Sequence, residues 1–117
     1  MTKKDFIEKM EKKRISVTDI SNDDFSVVLA VTKHYQIYYY EFDNEKEAKT
    51  IMKKEVQRLK SDNNKITKKS SEHYDKYEIF NENIYSVFVR VDNTYVFISA
   101  INTYKNDIIK ALRYMGY

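Results

Sequence analysis

The chain has no cysteine, no proline and no tryptophan, and only one glycine and two histidines among its 117 residues. Without cysteine there is no disulfide framework, no thiolate nucleophile and no cysteine-ligated metal. One glycine, Gly116, excludes a P-loop and a dinucleotide-binding fingerprint, which both need several. It also leaves no G-x-S-x-G nucleophile elbow. The two histidines, His34 and His73, stand far apart and show no ligand-type spacing such as H-x-x-x-H. Glu72-His73-x-Asp75 is the one local set that suggests a metal or an acid–base pair. Chance on a charged surface is the plainer reading, because a metal needs three or four converging ligands. The paired carboxylates Asp23-Asp24 fall in a turn cluster, where capping and solvation account for them. The expectation is a protein that is not an enzyme, with no cofactor and no metal.

Long apolar runs are also missing. Nothing approaches the ~20 residues that a membrane helix needs. The N-terminal MTKKDFIEKMEKKR is charged throughout and lacks the apolar core of a leader. The expected location is the cytoplasm, with an exported domain that has lost its leader as the alternative.

What is present suffices for a core. Hydrophobic residues make up 42% and aromatic residues 15%, against 33% charged. A chain of this length fits one domain, residues 1–117, that buries roughly two thirds of its unfolded surface. Phe6, Ile7 and Met10 fall at helical spacing within residues 3–14, and Thr2 with Asp5 forms a capping-box-like start. FSVVLAVT (25–32) and YQIYYYEF (35–42) read as strands joined by a turn at Lys33-His34. Asn44, with Glu47 three residues on, opens a helix striped by Ala48, Ile51, Met52, Val56 and Leu59. SDNNKITKKSSE (61–72) is polar and reads as a mobile loop. Residues 74–80 form a polar strand. Thr103 is placed to cap a last helix striped by Tyr104, Ile108, Ala111, Leu112 and Met115, with Gly116 at its left-handed end.

The richest stretch is IYSVFVRVDNTYVFISAI (84–101), two β-rich runs around Asp92-Asn93. A two-residue loop there pairs Val89 with Val96, Val87 with Ile98 and Tyr85 with Ala100 on one face. The other face carries Phe88 against Phe97 and Arg90 against Tyr95. The predicted fold is α+β: an antiparallel sheet of about five strands with three helices, in the order α-β-β-α-β-β-β-α. If all helices share one side, then Phe88, Arg90, Tyr95 and Phe97 form an aromatic platform for a protein partner or a second copy of the chain. Coverage by the first helix or by a symmetric subunit is the alternative. The eleven tyrosines carry the same ambiguity, since tyrosine is also a good strand former.

Charge offers a second surface. The net charge is only +3, yet residues 46–69 hold nine basic and three acidic residues. Lys49, Lys53, Arg58, Lys60, Lys65, Lys68 and Lys69 are thereby candidates for nucleic-acid contact, in a small nucleic-acid-associated protein or an inhibitor of a nucleic-acid enzyme from a mobile element. A solvated lysine-rich face is the plainer reading, because lysine alone gives nonspecific contacts.

YEFDNEKEAKTIMKKEVQRL (40–59), YDKY (74–77), the hairpin and YKNDIIKALRYMGY (104–117) together resemble small uncharacterised proteins and lipoprotein domains of low-GC Gram-positive bacteria. The resemblance covers about two thirds of the chain and implies an architecture. It brings no catalytic residues with it. The expectation is a non-catalytic binding or protein-interaction module able to form a homodimer.

Overall fold

The computed structural model describes residues 1–117. Its elements are α1 (Lys3–Lys12), β1 (Ser16–Asp19), β2 (Ser26–Val31), β3 (Gln36–Glu41), α2 (Glu45–Leu59), β4 (Lys65–Ser71), β5 (Tyr74–Asn81), β6 (Ile84–Val91), β7 (Thr94–Ile101), a 3₁₀ turn (Asn102–Tyr104) and α3 (Lys105–Met115). The strands form one antiparallel sheet in the order β1-β2-β3-β7-β6-β5-β4. Two meanders therefore meet where β3 pairs with β7.

The α+β class and the three helices are as expected, and the sheet has seven strands. The two additional strands are its edges. β1 follows at once from α1, after Arg14 takes a left-handed φ of 59°. β4 lies inside the segment that reads as a loop. Its only partly buried residue is Ile66, so it has no amphipathic signature. Seven residue pairs with β5 hold it in place, a long-range term that composition does not reveal.

Local signals account for most boundaries. The Thr2 hydroxyl accepts from the Asp5 amide, and the Asp5 carboxylate accepts from the Thr2 amide, which completes the capping box. Asn44 caps α2 by accepting from the Glu47 amide at 2.8 Å. The β2–β3 turn needs no glycine because the Thr32 hydroxyl accepts from the amides of His34 and Tyr35. Gly116 takes φ 87° at the end of α3. Thr103, the expected cap of that helix, lies within the 3₁₀ turn, and no side chain caps α3.

The β6–β7 register pairs the residues as the hairpin reading requires, from Ile84 with Ile101 to Val91 with Thr94. The helices do not share one side. α1 and α3 cover the face of Val28, Ile37, Tyr39, Val87, Val89, Val96 and Ile98. α2 covers the other, where Ala48, Met52 and Val56 pack on Tyr77, Ile79, Phe88 and Tyr95.

Candidate functional site

α2 turns the expected aromatic platform into a core with an opening. Phe88 is 3% exposed, and Arg90 and Tyr95 are fully buried. Of the four platform residues only Phe97 keeps partial exposure. The open platform is thus corrected. It presupposed helices on one side, and the helix that covers most of it is α2, not the first helix.

The coverage is incomplete. α2 lies over β6 and β7, and beyond the flank of its C-terminal half the sheet is open toward β3. There Tyr38, Tyr40, Phe88, Tyr95 and Phe97 form the floor, and Glu55 and Leu59 of α2 form a wall, around a cleft of about 190 Å³. Strand alternation sets this lining. Tyr38 faces Phe97 and Tyr40 faces Tyr95 across the β3–β7 pair, so all four project to the α2 side. Tyr40 stacks on Tyr95 at 4.5 Å between ring centroids, and Phe88 packs on Phe97 at 4.4 Å.

Glu55 is the cleft's only charged lining residue. It pairs with Arg58 at 3.1 Å from the solvent side, where the arginine side chain is 75% exposed. The Tyr95 hydroxyl is buried and has no hydrogen-bond partner in the protein. Burial, the Tyr40 hydroxyl and the Glu55 charge together push its pKa far up. Tyr40 moves the same way, through burial first and then Glu55 and Tyr38. Both phenols therefore stay protonated at any physiological pH. Val31, Leu59, Ile84 and Ile101 are exposed apolar residues, the last two separated from Phe88 and Phe97 by the Ser86–Ser99 pair.

Arg90 has a different task. Its Nε donates to Asp75 Oδ2 at 2.9 Å and its Nη1 to the Asp92 carbonyl at 2.8 Å, while Nη2 has no partner. Asp75 also accepts from the Ser70 hydroxyl at 2.6 Å. Burial raises the Asp75 pKa, but the hydrogen bonds from Ser70 and Arg90 outweigh it and the net shift is downward. Arg90 thus ties β6 to β5 and to the β6–β7 turn beneath α2, away from the cleft.

Beside it, His73 Nδ1 lies 2.8 Å from Glu45 Oε2 and 3.7 Å from Asp92 Oδ1. These three side chains are the set that could hold a cation, with donor atoms within 4.8 Å of one another. Arg90 Nη1 competes for the same Glu45 oxygen at 3.5 Å. Sequence reasoning grouped His73 with Glu72 and Asp75. The fold keeps Glu72 3.7 Å from His73, turns Asp75 to Arg90, and brings in Glu45 and Asp92 from the start of α2 and the β6–β7 turn. No local spacing announces them. His34 stacks on Tyr104 at 4.2 Å, by the β2–β3 turn at the other end of the sheet from His73.

The seven basic candidates do not share one surface. Lys65 and Lys69 pair with Phe80 and Lys76, so they project to the α1/α3 side, whereas Lys68 pairs with Tyr77 on the α2 side. Lys49, Lys53 and Lys60 recur along one flank of α2 by helical spacing. Arg58 lies on the opposite flank, against Glu55. No helix is long and apolar enough to cross a membrane.

No family model matches the chain. No curated protein matches it either. Among solved structures, the chain is similar to a protein of Thermotoga maritima described as a GTP-binding regulator, with a TM-score of 0.62 and 18% identity. The match covers 98% of this chain and 84% of that one. At that identity the likeness shows the fold alone, across nearly the whole chain.

Proposed function

We propose that the chain is a non-catalytic binding module whose recognition site is the cleft between the C-terminal half of α2 and strands β3 and β7. The carrying observation is the buried, unpartnered hydroxyl of Tyr95 among the residues that line it. A buried polar group without a partner costs about 1–3 kcal/mol, and native proteins retain few of them. A ligand that reaches this hydroxyl completes its hydrogen bonding. The lining supplies ring stacking, apolar contact and one carboxylate, the means of recognition.

The volume of about 190 Å³ suits a single ring or a single protruding side chain. That fits a small ligand or the anchor residue of a protein partner, which matches the interaction module expected from the sequence. The fold relative's description makes GTP a necessary probe, although the chain has one glycine and that residue ends α3.

The test is amide NMR with one-ring fragments and GTP on the intact chain. Shifts confined to Tyr38, Tyr40, Glu55, Leu59, Tyr95 and Phe97, abolished by Leu59→Asp, support the reading. Leu59 is 40% exposed, so that variant is expected to fold. Fragments that shift nothing, or only residues elsewhere, would remove it. GTP shifts at these residues would extend the likeness from fold to ligand.

A further inference from the structure

This inference rests on the cleft being the recognition site and concerns what it recognises. We propose that the cleft takes an organic cation, an ammonium or guanidinium group on an apolar stem of about one ring's bulk.

Three features of the cleft converge on that chemistry. The first is the floor. Tyr38, Tyr40, Phe88, Tyr95 and Phe97 present π-systems, whose negative faces attract a cation more strongly once water is excluded. The second is the sign of the charge. Although the chain is net positive, the one ionisable group other than tyrosine that lines the cleft is the Glu55 carboxylate. The basic residues nearest in sequence to the cleft's wall, Lys54, Arg58 and Lys60, do not line the cleft. The third is the hydrogen-bonding demand. Tyr95 Oη has free lone pairs and no protein partner, so it can accept one N–H while Glu55 accepts another.

The chain already carries a stand-in for such a ligand. Arg58 places a guanidinium 3.1 Å from Glu55, but from outside, on a side chain that is 75% exposed and does not line the cleft. An exposed pair one helical turn apart is weak and screened by salt, so a cation entering the cleft can replace it. An anion would instead meet the Glu55 charge. A neutral ligand can reach the Tyr95 hydroxyl but leaves the Glu55 charge without a counterpart in the cleft. The same ammonium chemistry is available from a free aryl-alkyl amine or from a partner's lysine or arginine.

The experiment compares matched probes by amide NMR on the intact chain: 2-phenylethylammonium, 2-phenylethanol and phenylacetate, with blocked lysine and arginine amides as a second arm. The expected result is that the ammonium binds at least tenfold tighter than the alcohol, with phenylacetate weakest. Glu55→Gln should remove the preference for the ammonium over the alcohol, and Arg58→Ala, outside the cleft, should leave the ammonium's affinity equal or raised. A blocked lysine or arginine amide that outcompetes the aryl amine assigns the cation to a protein partner, and the reverse assigns it to a small molecule. If the alcohol binds as tightly as the ammonium, the cation inference fails while the cleft stands. If no probe shifts the cleft residues, both fail.

Discussion

The two faces of the sheet are built from the same kinds of residue, and only one of them is finished. On the α1/α3 face the fully buried tyrosines Tyr39 and Tyr85 each donate to a carboxylate, Glu41 at 3.3 Å and Glu78 at 2.6 Å. On the α2 face Tyr95 is equally buried, and its hydroxyl has no partner. The first face has two helices and the C-terminal Tyr117, whose hydroxyl bonds Thr94. The second has one helix, and half of its aromatic row stays open. Burial alone therefore does not separate core from site. What separates them is an unsatisfied hydroxyl among the residues that line an open cleft.

Truncation on the finished face should give the largest effect. Ile98 is fully buried between α1, α3 and the sheet, whereas its chain neighbour Phe97 points to the open side. Ile98→Ala should cost about 4 kcal/mol by chemical denaturation, within the usual range for a large-to-small core change. Phe97→Ala should cost about half that or less, because part of the ring is already in water. Equal losses would show that the α2 face is as closed as the other.

The next effect lies under the covered end of α2. Asp75→Ala leaves the Arg90 guanidinium fully buried without its carboxylate. Breaking such a pair should cost about 3 kcal/mol, near the lower end of the usual range because Glu45 remains 3.5 Å from Nη1. The depressed Asp75 pKa adds a pH signature. Its contribution is present above the ordinary value of 3.8 and is lost as pH falls through the lower folded value. The variant should therefore lose stability at neutral pH and show a shallower decline in acid.

These contrasts indicate which parts of the molecule were legible in the sequence. The hairpin at 84–101, the caps at Thr2 and Asn44 and the glycine end of α3 were readable because each is decided by neighbours in sequence. So was the alternation that puts Phe88, Arg90, Tyr95 and Phe97 on one face. The side that α2 takes was not readable, since its stripe of Ala48, Met52 and Val56 fits either face. That single choice moves Arg90 from a platform's edge into the core. Strand β4 was hidden for a related reason, as its pairing comes from β5 and not from its own apolar residues. The cleft needed the side that α2 takes, together with Tyr38 and Tyr40 from a strand that pairs with β7 only after the chain has returned from α2.

The tyrosine contrast can be sharpened directly. Tyr85→Phe removes a hydrogen bond to a carboxylate and should cost about 2 kcal/mol. Tyr95→Phe removes a hydroxyl that has no partner, so stability should hold or rise by up to about 1 kcal/mol. The same Tyr95→Phe should weaken ligand binding in the cleft. Thermal unfolding of the two variants side by side reads the stability part. A Tyr95→Phe loss as large as that of Tyr85→Phe would show that the α2 face satisfies its tyrosine too.

The smallest expected effect concerns the clamp that holds α2 down at its other end. His73, in the β4–β5 turn, bonds Glu45 in the first turn of α2, with Glu72 and Asp92 close by. The hydrogen bond to Glu45 leads, and the charges of Glu45, Glu72 and Asp92 add to it, raising the histidine pKa above its ordinary 6.5. The same bond lowers the Glu45 pKa from 4.5, with help from the charges of His73, Arg90 and Lys49. A raised folded pKa means that the protonated histidine stabilises the fold fully below 6.5. That contribution disappears as pH rises through the raised value. Glu45 works in the opposite sense, holding its contribution above 4.5 and losing it as pH falls through the lowered value. The clamp should therefore be strongest between those two ordinary values, and stability should decline slightly above 6.5. His73→Gln should flatten that decline and leave the cleft's ligand affinity unchanged. Side-chain NMR titration of His73, with melting temperatures from pH 5 to 9, measures both. A histidine that titrates at or below 6.5 would show that the covered end of α2 is held by its apolar stripe and Arg90 alone.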